Sequence, residues 1–323
     1  MKPKVLITRE IPSPGVELLK SECEVDVNFE DRALTRQELL YRSADKDAVI
    51  CLLTEKINAE FFDAAPNIKG VANYAVGFDN MDVTEAVKRR IPLSNTPDVL
   101  TDATAEMAWA LLFAVARRVI ESDLYLRSGQ WDGWGPLQYV GRSVSGKTLG
   151  IVGPGRIGSS MAMMSRGFNM KVLYSGNRRN MELEKKTNAE FVPFSDLVKE
   201  SDFISIHVPL RPETKHMFNK EIFKKMKKTA IIINTARGPV INESNLLDAL
   251  TKGEISGAGL DVYEFEPGVT ETLKKLNNVV LTPHTGSATI KSREAMSIMA
   301  AENILAMLHN KKPLQCINSE IYQ

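Results

Sequence analysis

The chain has little cysteine, few histidines and almost no surplus charge, and each shortage removes a class of function. Its three cysteines, Cys23, Cys51 and Cys316, stand far apart without a CxxC pair. Neither a disulfide framework nor a zinc site is indicated, no metal is expected, and the three read as inert thiols. Lysine and arginine number 41 against 40 aspartates and glutamates, which leaves no global field to attract nucleic acid or an anionic membrane. No apolar run is long enough to span a bilayer, and the segment Val5 to Ile7 behind Met1 is too short for a signal-peptide core. A cytoplasmic protein is expected. What the chain does have is 323 residues of which 43% are hydrophobic, enough for two domains with separate cores.

Short β-branched runs alternate with longer amphipathic ones from the start: Val5 to Thr8, Val25 to Val27 and Ala48 to Leu53, then Gly70 to Tyr74 and Ile91 to Asn95. That alternation predicts βαβ units on a parallel sheet. The pattern breaks at Asn95-Thr96-Pro97-Asp98, after which a long helix is expected over Ala103 to Ala116, stopped by Arg117-Arg118. Gly129 to Gly146, with Trp131 and Trp134, has neither period and reads as an extended arm whose tryptophans offer a partner surface. A second α/β pattern runs through Thr148 to Val152, Val172 to Tyr174, Phe203 to Val208, Thr229 to Asn234, Gly257 to Val262 and Val279 to Leu281. A last helix, Ser292 to Leu308, is expected to pack back on the first unit. The expected architecture is α/β, with two Rossmann-like, doubly wound parallel-sheet domains and a cleft between them. One is discontinuous (1–97 plus 288–323) and substrate-binding, the other (98–287) dinucleotide-binding.

Gly153-Pro154-Gly155-Arg156-Ile157-Gly158 follows a strand-like run and opens a helical one, the context in which GxGxxG carries meaning. Gly153 would make the tight turn, Gly155 would admit a pyrophosphate, and Gly158 would let the helix approach the strand, with helix N-terminal amides aimed at phosphate. Pro154 deletes one amide donor. An NAD-preferring site usually has an acidic residue about 20 positions on. Here the strand ends Tyr174-Ser175-Gly176-Asn177-Arg178-Arg179, where hydroxyl, amide and guanidinium groups would accept a 2′-phosphate rather than repel it. NADP(H) is therefore favoured, with NAD(H) as the alternative.

Three further strand ends carry reactive side chains: Arg237 in NTARGPV, Glu264 and Glu266 in GLDVYEFEP, and His284 in LTPHTGSAT. Together with the fingerprint and ATAEMAWALLFAVARR, these motifs resemble the D-isomer-specific 2-hydroxyacid dehydrogenase family over nearly the whole chain. The Trp134 to Leu137 arm, Leu173 to Ser175 and His284 to Ala288 are most similar to its glyoxylate and hydroxypyruvate reductases, although Asn177 stands where those often have arginine.

The resemblance implies Arg237, Glu266 and His284 as the catalytic set. Ketone reduction needs a proton donor, which histidine supplies near neutral pH. A carboxylate beside it would steady the imidazolium and its orientation, and a guanidinium would hold the substrate carboxylate. Glu264 is chemically equivalent to Glu266, but the family pattern puts the histidine partner immediately before Pro267. The resemblance also carries over Thr104, Val208, Pro209, Thr214, Thr235, Ala236, Asp261 and Gly286 as cofactor neighbours, beside Gly153, Gly155, Arg156, Ile157, Gly158, Ser175, Asn177, Arg178 and Arg179. Asp261 would hold the carboxamide or order Arg237. Val76, Gly77 and Ser287 are carried over as substrate contacts, the amides of Val76 and Gly77 supplementing Arg237. His207 would line the cofactor crevice, while His216 and His309 read as surface residues.

The implied reaction is reduction of glyoxylate or hydroxypyruvate to the D-2-hydroxy acid. The rivals are a D-lactate or phosphoglycerate type dehydrogenase and a dinucleotide-sensing corepressor of the same fold. No appended regulatory domain, basic tail or low-complexity segment supports either. A homodimer is implied, joined through Asp98 to Arg118 and the tryptophan arm, with Trp134 reaching toward the partner's active site.

Overall fold

In the computed structural model, which describes residues 2–323, the chain divides into two compact units. One runs up to Leu100 and resumes at Ala288–Gln323; the other is Thr101–Ser287.

The first unit holds five parallel strands, β1 (Lys4–Ile7), β2 (Glu24–Val27), β3 (Ala48–Cys51), β4 (Gly70–Asn73) and β5 (Leu93–Ser94), in the order β2-β1-β3-β4-β5. β3 and β4 are buried along their whole length, whereas edge strand β2 begins exposed. Continuous burial is what a parallel sheet covered on both faces demands, and it explains why these strands read as unbroken apolar runs. Helix Ile290–Leu308 returns to this unit. Its Ser297 hydroxyl accepts from the Gly15 amide of helix Ser13–Glu22, and its Arg293 carbonyl accepts from the Tyr74 hydroxyl at 2.6 Å.

The second unit has seven parallel strands: β6 (Thr148–Val152), β7 (Lys171–Ser175), β8 (Glu190–Phe191), β9 (Phe203–Ile206), β10 (Ile231–Asn234), β11 (Gly257–Leu260) and β12 (Val279–Leu281). Their order, β12-β11-β10-β9-β6-β7-β8, reverses direction between β6 and β9. The β8 edge strand has no counterpart in the sequence reading, because two exposed residues present no periodicity. Helix Thr101–Ala116 packs on this sheet's core, with the Trp109 indole donating to the Met161 carbonyl at 3.2 Å. Arg118, at φ 54°, ends that run, and a second helix, Val119–Arg127, follows it with no buried residue. Residues 129–146 form neither helix nor strand.

Register fixes where the loops emerge. Asn234 pairs with Leu260 and Leu260 with Leu281, so Thr235, Asp261 and Thr282 leave the sheet side by side at its C-terminal edge. No helix among the described residues is long and apolar enough to cross a membrane.

The first unit closes on its own tail. The fully buried Asn318 accepts from the Leu93 amide and donates to the Ile91 carbonyl, both at 2.8 Å, while the Ile317 amide donates to the Leu93 carbonyl. An alanine there would strip both partners from buried backbone groups at the sheet edge. Asn318→Ala is expected to lower unfolding stability by about 1–3 kcal/mol, measured by chemical denaturation; a change of less than about 0.5 kcal/mol, the usual scatter of neutral surface substitutions, would contradict this.

Candidate active site

β6 ends at Val152, which pairs with Ser175 of β7 on one side and Ile206 of β9 on the other. The turn that follows therefore opens at the point where the strand order reverses, where open α/β sheets take their ligands. Gly153 has φ 97°, and a Cβ added there would come within 2.9 Å of the backbone at His207 and Val208. One turn into helix Arg156–Met164, a Cβ on Gly158 would stand 2.3 Å from the Gly153 carbonyl oxygen. At Gly155 an added Cβ would meet nothing within 4 Å. The backbone at Gly155, where helix Arg156–Met164 begins, thus opens on free space, as an anion site requires. Across the sheet edge, the Thr235 hydroxyl is buried without a hydrogen-bond partner. A cradle that any side chain would fill, and an unused hydroxyl after β10, fit a dinucleotide.

The other candidate cofactor residues divide by environment. Val208 and Pro209 follow β9, and the Thr214 hydroxyl donates to the Pro209 carbonyl at 2.7 Å and accepts from the Arg211 amide at 2.8 Å, so it ties its own turn. Burial pushes the His207 imidazole down to about 3, so it stays uncharged beside Ser205. After β7, Ser175 is half-buried and Asn177, Arg178 and Arg179 are exposed. Arg179 forms a two-point ion pair with Glu184, at 2.6 and 3.0 Å.

On the next three strand ends the candidate catalytic groups lie in one unit. The His284 ring stands with Nδ1 2.9 Å from Glu266 Oε2, and each side chain is about a third exposed, at 33% and 35%. The other Glu266 oxygen accepts from the Tyr263 amide at 2.9 Å. Burial works against the Glu266 carboxylate, but His284's hydrogen bond and charge, the Tyr263 amide and the Arg237 charge outweigh it. Its carboxyl is held below the ordinary range. His284 sits at φ 54°, a conformation its neighbours must enforce. That role falls to Asp261, 1% exposed: one oxygen accepts from the Thr282 hydroxyl at 2.6 Å and the Thr285 amide at 2.7 Å, the other from the Gly286 amide at 2.7 Å. Both oxygens therefore hold the histidine turn, and the bonds drawn from this carboxylate lead to that turn rather than to Arg237. Thr104 packs beneath it, 3.3 Å from where a Gly286 Cβ would lie, and Ser287 closes it, half-buried. Arg237 donates to the Ala236 carbonyl at 2.8 Å, while Asn234 braces the loop from both sides by accepting from the Ala236 amide and donating to the Arg237 carbonyl.

Glu264 is engaged elsewhere. His216 Nε2 lies 2.5 Å from its Oε1, and its Oε2 accepts from the Glu243 amide at 2.8 Å. Glu243, 4% exposed, accepts in return from the Glu264 amide and from Thr270. The His216 amide donates to the Pro239 carbonyl, two residues past Arg237. His216 is thus half-buried and bridges the arginine and glutamate loops, where the sequence suggested a surface position; nothing in its local pattern signals partners 23 and 48 residues away. His309 does lie at the surface, 3.1 Å from Glu22.

Val76 and Gly77 belong to the first unit, in the turn after β4. The Gly77 carbonyl accepts from Asn73 Nδ2 and the Val76 carbonyl from Asn95 Nδ2, both at 2.7 Å, and neither amide donates among the described residues. Asn80, which sequence reasoning did not single out, anchors the turn: it donates to the carbonyls of Leu52 and Glu55 and accepts from Asn73. Glu55, 3% exposed, accepts from Thr8 and Leu52 beneath it.

The model of the D-isomer specific 2-hydroxyacid dehydrogenase NAD-binding domain matches residues 109–286. The glyoxylate reductase of Thermococcus onnurineus is 50% identical over 325 residues, covering 99% of this chain and 97% of the relative. That of Thermococcus kodakarensis is 51% identical, covering 99% and 98%. Among solved structures, the NADPH-dependent glyoxylate/hydroxypyruvate reductase of Sinorhizobium meliloti, in complex with NADP and malonate, aligns with TM-score 0.86 and 30% identity over 98% of this chain and 97% of that one. A glyoxylate reductase from Paecilomyes thermophila gives TM-score 0.87 and 29% identity over 99% of each. With a family model across more than half its length and full-length relatives at half identity, this chain belongs to the D-isomer specific 2-hydroxyacid dehydrogenases.

Proposed function

We propose that this protein reduces a small 2-oxo acid, glyoxylate or hydroxypyruvate, to the D-2-hydroxy acid, with NADPH favoured over NADH. The observation that carries the reading is the His284–Glu266 pair at 2.9 Å, on the loops that leave β11 and β12, the two strands next in line across the sheet from the one whose end bears Arg237. The curated relatives' names, both glyoxylate reductase, support the substrate class. A nicotinamide dinucleotide, its pyrophosphate held at the Gly153–Gly158 turn, would supply the hydride from its reduced ring. The protein's own groups do the rest. Arg237 binds the substrate carboxylate and polarises the carbonyl. With Nδ1 facing Glu266, the imidazolium presents Nε2–H to the carbonyl oxygen and gives up that proton as negative charge develops. Glu266 fixes the ring and stabilises its charged form. Reduction therefore needs the protonated ring and oxidation the neutral one, so lower pH favours reduction.

Glu266 sets an acid limit of its own. Because its folded-state carboxyl is held below the ordinary value, its contribution to the folded state is present above the unfolded value and lost as pH falls through the lowered one. The pair thus survives through neutral and mildly acidic pH. Free Cys23, Cys51 and Cys316 suit a reducing compartment, and we place the protein in the cytoplasm.

We also propose a homodimer. Helix Val119–Arg127 buries none of its residues, its Leu124 and Leu126 are exposed, and so are Trp131, Trp134 and Leu137 next along the chain. Large apolar side chains exposed at this density along one segment are what an interaction site presents.

Three outcomes follow. A panel of small 2-oxo acids with both cofactors should give the highest kcat/KM for glyoxylate or hydroxypyruvate with NADPH; a clear NADH preference or absence of turnover would refute the corresponding half of the reading. His284→Ala should lower kcat by about 10²–10⁴, and Glu266→Gln should lower it and move the acid limb of the pH profile, whereas Glu264→Gln should leave that limb in place; the reverse pattern would transfer the role to Glu264. Analytical ultracentrifugation at micromolar concentration should show a dimer, and a monomer would contradict the interface.

A further inference from the structure

The loop after β7 holds two adjacent arginines in different states. Arg179 is gripped by Glu184, its Nη2 2.6 Å from one carboxylate oxygen and its Nε 3.0 Å from the other. Arg178 is exposed and makes no ion pair among the described residues. The grip on Arg179 is built into the fold. Glu184 is only 16% exposed, and its Oε1 also accepts from the hydroxyl of Tyr174, whose ring is fully buried in β7. The Tyr174 oxygen accepts in turn from the Asn180 amide at 2.9 Å. Asn180 then reaches the fingerprint: its Nδ2 donates to the Pro154 carbonyl at 3.0 Å and the Ser159 hydroxyl at 3.2 Å, while its Oδ1 caps helix Met181–Thr187. Gly176 is pressed against Pro154, with room for no side chain. One chain of bonds thus runs from the cradle turn through Asn180 and Tyr174 to Glu184, and ends on Arg179.

We propose that Glu184 is a specificity-determining residue for the cofactor: by neutralising and tethering Arg179 it withholds one of two guanidinium groups from a ribose 2′-phosphate, leaving Arg178 to meet it. This rests on the reading that the cofactor's adenosine lies at the end of β7. A 2′-phosphate carries nearly two negative charges, and each free arginine nearby favours it over a hydroxyl. Arg179 can join only by leaving a two-point carboxylate pair for a phosphate in high-dielectric surroundings, an exchange with little net gain. The device keeps the preference for NADPH moderate, so that NADH remains a usable substrate.

The test measures binding of adenosine 2′,5′-bisphosphate and of 5′-AMP to the whole protein by calorimetry, which needs no turnover. Glu184→Gln removes the charge that holds Arg179 and should tighten the bisphosphate about threefold to fivefold while leaving 5′-AMP unchanged. Adding Arg179→Ala to that variant should abolish the gain. In the otherwise native protein, Arg178→Ala should weaken the bisphosphate by about tenfold and Arg179→Ala by less than about twofold. An unchanged ratio of the two affinities in Glu184→Gln would overturn the proposal. So would a loss in Arg179→Ala as large as in Arg178→Ala, a comparison between exposed side chains that stands even if Glu184→Gln is unstable. An NADH-preferring native enzyme would sink the NADPH reading alone, since the ratio shift in Glu184→Gln is measured independently of it.

Discussion

The carboxylate of Asp261 takes three strong hydrogen bonds from the turn that follows β12, and that turn carries the imidazole proposed as the proton donor. Burying a carboxylate is costly unless its lone pairs are filled, and here they are filled by one hydroxyl and two main-chain amides from residues 282–286. The same bonds that satisfy the charge oblige His284 to adopt its positive φ. Backbone strain at that residue is thereby held by a neighbour on β11, and the ring is delivered to Glu266, which leaves the end of the same strand. The proposed acid His284, its partner Glu266 and the carboxylate that holds the histidine turn are thus set by one pair of adjacent strands.

Sheet register extends this constraint. Because β10, β11 and β12 are parallel and in step, their C-terminal residues align, and three loops separated by tens of residues in sequence begin at a common edge. The reversal between β6 and β9 opens the space in which Gly155 stands clear of other atoms. The Gly153–Gly158 turn and the His284 turn are two consequences of one parallel sheet, and short loops of variable chemistry can be fitted to it without altering the core.

Much of this was legible in the residues. Apolar runs such as IIIN at β10 announce strands buried on both faces, the glycine spacing after β6 announces a turn with no room for a side chain at Gly153 or Gly158, and reactive residues just past strand ends point to the ligand edge. What was not legible is polar and long-range. Asn318 closes the edge of β5 from more than two hundred residues away, and His216 looks like a loop histidine until its partner Glu264 is placed beside it. Neither contact leaves a period, because periodicity records which face of an element is apolar and is silent about which donor meets which acceptor. Strand β8 escaped for the opposite reason, since two exposed edge residues carry no apolar signal at all.

Glu264 and Glu266 show how far environment decides the use of identical chemistry. They are two residues apart on one loop, yet the first shares its oxygens with His216 and the Glu243 amide, while the second offers one oxygen to His284 and anchors the other on the Tyr263 amide. Extended backbone would turn positions 264 and 266 to the same side; the two sit instead in a turn, where local hydrogen bonds send one carboxylate toward His216 and the other toward His284. One carboxylate fastens the loop to the turn after Arg237, through His216 and Pro239, and the other works from its tip. If His284 acts as the proposed acid, the loop that holds its partner to a few tenths of an ångström needs such a fixed end. The second histidine–glutamate pair is therefore best understood as the foundation of the first.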